Sequence, residues 1–240
     1  MTVSENLARI RDEINEVCLR IGRCPDEVRL MAVSKFHELP LIEEAAEAGL
    51  RLFGESRVQE ATLKFLPFKR KYPDAELHMI GSLQRNKVKA AVTLFDCIES
   101  LDRNEVIRAL GTAFPPEGET EGKGDGGNAP LPVLFELNAG EETKSGFRDE
   151  DALCAGVEAA LGFPSLKPAG LMTMAPFTGD EAAVRKAFRG LVKAQTRLRR
   201  EFSDCDWGCL SMGMSGDFKI AIEEGSTLLR IGTAIFGERE

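Results

Sequence analysis

Three groups of residues in this chain have types and spacing suited to chemistry. The first is Lys35, which closes the apolar run Met31-Ala32-Val33-Ser34. A lysine at the end of a buried strand is partly withdrawn from water. That lowers its pKa and supplies neutral amine for attack on a carbonyl carbon; the competing reading is a side chain that snorkels out to solvent. The second group is Leu210-Ser211-Met212-Gly213-Met214-Ser215-Gly216-Asp217. Small residues let the main chain approach an anion closely, and a helix starting near Asp217 would turn free amides toward it. The third is Arg230-Ile231-Gly232-Thr233, small residues again beside a cation. An amine facing an anion cradle points to a phosphorylated carbonyl compound.

The elements that must position these groups follow from periodicity. Leu7, Ile10, Ile14, Val17 and Ile21 recur every three or four residues and predict a helix over 2–21, opened by capping-box spacing of Thr2 and Glu5. Apolar runs predict strands at 29–34, 51–54, 77–80, 94–99, 132–138, 168–174, 209–213 and 228–236. Helical patterns fill the intervals at 40–48, 55–66, 84–92, 103–110, 149–161, 180–202 and 217–224, with Gly49 as a stop and Pro67 disturbing one end. Eight strands alternating with helices predict an α/β fold. The expected architecture is a single (β/α)8 TIM-type barrel spanning residues 1–240, with an extra N-terminal helix; a doubly wound open sheet is the competing arrangement. Barrel chemistry lies at the C-terminal ends of strands, and phosphate sites commonly form after strands seven and eight. Lys35 and the two small-residue clusters fall there. Residues 115–130 (PPEGETEGKGDGGNAP) predict a flexible surface loop on the opposite, functionally quiet face.

Bulk properties narrow the partners. A chain of 240 residues with 43% hydrophobic content is long enough for a real core. A net charge of -8 argues against a general nucleic-acid binder. The one dense basic stretch, Arg197, Arg199 and Arg200, reads as a solvated helix face. The N-terminus lacks a signal-peptide pattern, and no run of about 18 apolar residues suggests a membrane span, so the cytoplasm is expected. The six cysteines are scattered and read as reduced thiols rather than a disulfide framework or a zinc site.

Two ligands satisfy the amine and cradle: pyridoxal 5'-phosphate, and a sugar phosphate handled by a Schiff-base aldolase. Arg230 discriminates. An arginine against a pyridine nitrogen keeps that nitrogen unprotonated, because two positive partners repel, and weakens the ring as an electron sink. An aldolase would want a proton-relay carboxylate or tyrosine beside the lysine, and none stands near Lys35 in sequence.

The motifs Ala32-Val33-Ser34-Lys35, Phe53 to Glu60, His78 to Lys87, Lys144 to Phe147, Gly170 to Met174, Leu210 to Ser215 and Gly225 to Gly237 cover the chain nearly end to end. In these the chain resembles the pyridoxal phosphate homeostasis protein family, related to the alanine racemase N-terminal barrel. The resemblance implies that Lys35 carries pyridoxal 5'-phosphate as a Schiff base, that Arg230 faces the pyridine nitrogen, and that Ser211, Ser215, Gly232 and Thr233 hold the phosphate. It further implies a carrier that stores or delivers the cofactor, with apo pyridoxal phosphate-dependent enzymes as recipients. The family usually has Asn where Ser56 stands here, and residues 115–130 look inserted.

The alternative is an amino-acid racemase, which needs two bases on opposite faces of the substrate. Alanine racemase takes its second base from a tyrosine in an additional domain, and that domain is not expected after strand eight, which ends the chain. Tyr72, the only tyrosine, is expected far from the mouth. His37 is expected exposed at the barrel rim, and His78 is read as structural, at the start of strand three. A monomer is favoured because no heptad pattern occurs.

Overall fold

The computed structural model describes residues 2–114, 129–140 and 145–238. The loop expected at 115–130 falls outside these but for its last two residues, and so does Lys144. The chain opens with α1 (Val3–Arg20), then alternates β1 (Arg29–Val33), α2 (Leu39–Glu47), β2 (Leu52–Glu55), α3 (Val58–Lys71), β3 (Glu76–Met79), α4 (Val88–Leu94), β4 (Cys97–Leu101) and α5 (Asn104–Gly111). It continues with β5 (Leu131–Glu136), α6 (Glu150–Leu161), β6 (Leu166–Met172), α7 (Glu181–Glu201), β7 (Cys209–Ser211), α8 (Phe218–Glu223), β8 (Leu228–Ile231) and α9 (Thr233–Phe236). All eight strands are parallel and close in order, β1 pairing with β8. This is the (β/α)8 barrel with its extra N-terminal helix, not the open sheet.

The pleat sorts the strand residues into two layers, because successive side chains point to opposite faces. Leu30 and Ala32 of β1, Phe53 of β2, Leu77 and Met79 of β3, Ile98 of β4, Phe135 of β5, Leu210 of β7 and Leu229 and Ile231 of β8 join the helices in one large apolar cluster. Their alternates fall elsewhere. Met31, Leu52 and Leu228 form a small separate cluster, and Cys97, Leu134 and Met172 another. The remaining alternates include His78, Glu99, Glu136, Ser211 and Arg230, all buried.

Several boundaries differ from the sequence expectation: β5 ends at Glu136, β6 at Met172 and β7 at Ser211, each two residues early, and three further elements differ more. Helix α3 begins at Val58, so residues 55–57 lie outside it, and it runs through Pro67 to Lys71. An interior proline costs about 3 kcal/mol. Here Phe68, 1% exposed, packs edge-on against Phe53 and Phe65 with centroids 5.2 Å apart, and burial plus ring contacts return a comparable amount, about 2–4 kcal/mol. Leu94 stays in α4, and β4 starts at Cys97. The last apolar run is not one strand: β8 ends at Ile231, and Thr233–Phe236 turns helical. Helix α1 captures this turn, with Asn6 Nδ2 donating to the Ile235 carbonyl at 2.9 Å. The capping box of Thr2 and Glu5 forms as the spacing predicts.

Among the described residues, no helix is long and apolar enough to cross a membrane, and no group of three or more His, Cys, Asp or Glu side chains could hold a metal ion.

Candidate functional site

A cavity of about 560 Å³ opens at the C-terminal end of the barrel. Lys35, Ser215, Arg230, Gly232 and Thr233 all line it; Ser211 does not.

Lys35 leaves β1 through a tightly held corner. The Ser34 amide donates to the Gly54 carbonyl and the Ser34 hydroxyl to Glu55 Oε1, at 3.0 and 2.7 Å. Phe36 then adopts φ 68°, a left-handed conformation that a bulky side chain rarely takes. Such a residue costs about 1–3 kcal/mol and persists only where its surroundings over-determine it. Those surroundings are visible. The Phe36 amide donates to Glu60 Oε1 at 2.6 Å, and the Arg57 guanidinium lies 5.2 Å from the Phe36 ring centroid. Lys64 Nζ donates to the Ser34 carbonyl at 2.9 Å and to the His37 carbonyl at 3.3 Å, and pairs with Glu55 and Glu60. Burial works against ionisation of Glu60, but Lys64 and the Phe36 amide outweigh it and hold its pKa below the ordinary range. Burial prevails at Glu55 and raises its pKa despite Lys64 and Ser34. The residues on both sides of Lys35 are therefore pinned, which fixes where its side chain leaves the main chain.

The small-residue turns lie beside this corner rather than across the mouth. Met31 is in register with Arg230 and Ala32 with Ile231, so residues 34–35 and 232–233 leave the barrel side by side. A β-carbon on Gly232 would stand 3.2 Å from the Val33 carbonyl oxygen. Gly213 turns the chain after β7 at φ 99°, and a β-carbon there would meet Ala221 at 2.6 Å. Asp217 Oδ1 accepts from the Met214 amide and the Ser215 hydroxyl accepts from the Ala234 amide. The main-chain amides of Ser215, Gly216, Gly232 and Thr233 donate to no other described residue. Free amides flanked by two hydroxyls form a concave donor set for an anion.

Arg230 is 4% exposed. Its guanidinium donates to the Ser211 hydroxyl at 2.6 Å and to the Thr173 carbonyl at 2.8 Å. Burial lowers its pKa, while Glu99, Glu136 and Asp217 oppose that loss. An arginine remains charged under such pressure. Ser211, expected to hold a phosphate, lies beneath this guanidinium instead: its hydroxyl donates to Glu99 Oε2 at 2.5 Å.

His78 is not at the start of its strand. It is the third residue of β3, buried, with Nδ1 2.6 Å from Glu99 Oε1. His37 is half-buried and lines the cavity, its ring centroid 4.7 Å from that of Phe236. Tyr72 follows α3 away from the cavity lining, its hydroxyl 3.5 Å from Glu47. Ser56 lines a neighbouring cavity with Arg57, Gln59, Ser82, Gln84 and Lys87. The sequence reading did not find Glu99 or Glu136, nor the wall from Met174 to Gly179. Glu99 and Glu136 had a signal: a lone carboxylate within an apolar strand of a parallel barrel, where continuous apolar residues are the norm.

Residues 6–240 match the family described as alanine racemase, N-terminal domain. The pyridoxal phosphate homeostasis protein of Aquifex aeolicus is 39% identical over 241 residues, covering 100% of both chains. This chain belongs to the pyridoxal phosphate homeostasis protein family. The Escherichia coli K12 member is 36% identical over 242 residues, covering 99% of this chain and 97% of its own. PipY of Synechococcus elongatus, solved with pyridoxal phosphate bound, superposes on this family member with a TM-score of 0.80 at 29% identity, over 98% of this chain and 100% of PipY. Alanine racemase of Bacillus anthracis shares the fold, with a TM-score of 0.70 at 16% identity over 97% of this chain and 56% of the racemase.

Proposed function

We propose that the protein binds pyridoxal 5'-phosphate as a Schiff base on Lys35 and acts in homeostasis of that cofactor, storing it or delivering it to apo-enzymes. The observation that carries this reading is one cavity lined by an amine, a buried guanidinium and four unspent main-chain amides. The donor set fits the group. The bound group supplies an aldehyde carbon that an amine can capture reversibly. Lys35 is that amine, aimed by the pinned corner around Ser34 and Phe36. The amides of Ser215, Gly216, Gly232 and Thr233, with the Ser215 and Thr233 hydroxyls, take the phosphate. Arg230 donates toward the ring nitrogen and, being a cation, keeps a proton off it. The relatives' names and the PipY complex support the same ligand.

Weak catalysis follows from Arg230, since an unprotonated ring stabilises a carbanion poorly. The racemase reading requires a second base facing Lys35. Tyr72 is outside the cavity, and the Asp217 carboxylate is engaged by the Met214 amide. His37 and Glu181 line the cavity with Lys35, as does Asp217, and that reading would have to draw its second base from these three.

Three measurements test the proposal. The purified protein is expected to be yellow, losing the band on borohydride reduction, with peptide mapping placing the adduct at Lys35. The loaded protein should reconstitute an apo-enzyme faster than free cofactor does. Solvent deuterium entering the α-carbon of an amino acid would move the protein into the racemase class; equal reconstitution rates would remove delivery.

A further inference from the structure

The barrel interior carries a chain of polar contacts that the ligand reading leaves unused. It starts at the cavity, where Arg230 donates to Ser211 at 2.6 Å. Ser211 donates to Glu99 at 2.5 Å, and Glu99 meets His78 at 2.6 Å. His78 Nε2 lies 3.6 Å from Glu76 Oε2, which accepts from Arg29 at 2.6 Å. Arg29 and Glu76 begin β1 and β3, so the chain runs from the cavity to the opposite end of the barrel. Read in order, its charged members alternate: guanidinium, carboxylate, imidazole, carboxylate, guanidinium. Glu99 has no exposed surface. Burying a carboxylate there is costly unless it is paired and hydrogen-bonded, and both its oxygens are.

We propose that Glu99 is a positioning residue for Arg230: through Ser211 it orients the guanidinium in the cavity and offsets its charge, while His78 and Glu76 hold Glu99 in place. This rests on the pyridoxal phosphate reading of the cavity. Arg230 without Glu99 would keep its charge against Glu136, on β5, and Asp217, before α8, but would lose the partner of the hydroxyl that anchors it. The groups facing Glu99 are His78, Arg230, Ser211 and the thiols of Cys97 and Cys209; those facing His78 are Glu76 and Glu99. Glu76 and Glu99 outweigh the burial that opposes protonation of His78 and raise its pKa, so the two carboxylates favour the charged ring.

The sign of each charge provides the test. Glu99→Gln removes a negative charge behind Arg230 and His78→Gln removes a positive one, both with amides of similar size. The readouts are the pH midpoint of the visible band of the loaded protein and the rate at which pyridoxal 5'-phosphate leaves. Glu99→Gln is expected to lower the midpoint, because uncompensated positive charge disfavours a protonated nitrogen on Lys35, and to speed release about tenfold, the scale of one charge-assisted hydrogen bond. His78→Gln is expected to raise the midpoint. A defect of packing alone would move both variants the same way, so opposite signs support the proposal and equal signs overturn it. Should one variant fail to fold, the other's sign decides. Wild-type protein that shows the band beside variants with unchanged midpoint and release rate overturns the role of Glu99 alone. Wild-type protein that never shows the band overturns the ligand reading as well.

Discussion

The two layers divided by the barrel wall are built from different chemistry. Outside, between strands and helices, the side chains are almost wholly apolar, with Phe53, Phe65, Phe68, Phe135 and Phe188 fully buried. Inside, where barrels usually stack branched aliphatic residues, Glu99, His78, Ser211 and Arg230 form a hydrogen-bonded column with only small apolar clusters beside it. The outer layer supplies free energy in proportion to the area it removes from water. The inner one returns little net stability, because desolvating charges offsets most of their attraction. It fixes the orientation of one cation at the cavity. Stability and site geometry are thus largely assigned to opposite faces of the same eight strands.

Substitutions on each side should separate the two. Lys35→Ala has the largest expected effect: complete loss of the borohydride-trapped adduct at residue 35, read by peptide mapping, with urea midpoints little changed. An adduct that persists undiminished would show that another lysine is used. On the outer face, Phe68→Ala should cost about 3–5 kcal/mol in chemical denaturation while leaving the visible band of surviving folded protein intact. A shifted band would mean that the two layers are not independent.

The inner column should reveal itself through pH. The raised pKa of His78 contributes stability that is fully present below its ordinary 6.5 and is lost as pH climbs through the folded value. Glu76 has the opposite sign. His78 and Arg29, against the cost of burial, lower its pKa to about 2, so its contribution is present above 4.5 and lost as pH falls toward 2. Urea midpoints should therefore decline as pH climbs above 6.5, and His78→Gln should flatten that decline. The smallest expected effect lies far from both layers. Thr2→Ala, which removes one half of the α1 capping box, should cost about 1 kcal/mol.

The strand count and the position of Lys35 at a strand end were legible because parallel barrel strands read as apolar runs and helices as 3.6-residue periods; closure was expected from the count of eight, since periodicity fits an open sheet equally well. The α3 extension through Pro67 was not, because proline is a local signal and the Phe53–Phe65–Phe68 contacts that override it are tertiary. The same holds for β8, whose apolar continuation Ala234-Ile235-Phe236 reads as strand until α1 takes its carbonyls. In the site, small residues after strands seven and eight pointed to the mouth, and Ser215, Gly232 and Thr233 line the cavity. Ser211, which the resemblance assigned to the phosphate, does not line the cavity, because the pleat sends it below Arg230 to Glu99. Pairing across strands, which no single-chain period encodes, determined that outcome.

Asn6 and Ile235 are 229 positions apart, yet the first helix clasps the last turn. Because β1 and β8 are partners, the corner bearing Lys35 meets Gly232 and Thr233 only when the ring is shut. During synthesis the Lys35 amine therefore emerges from the ribosome long before Gly232 and Thr233 exist. A ligand that grips both ends recognises only finished molecules, and by mass action it should favour the closed chain over the open one.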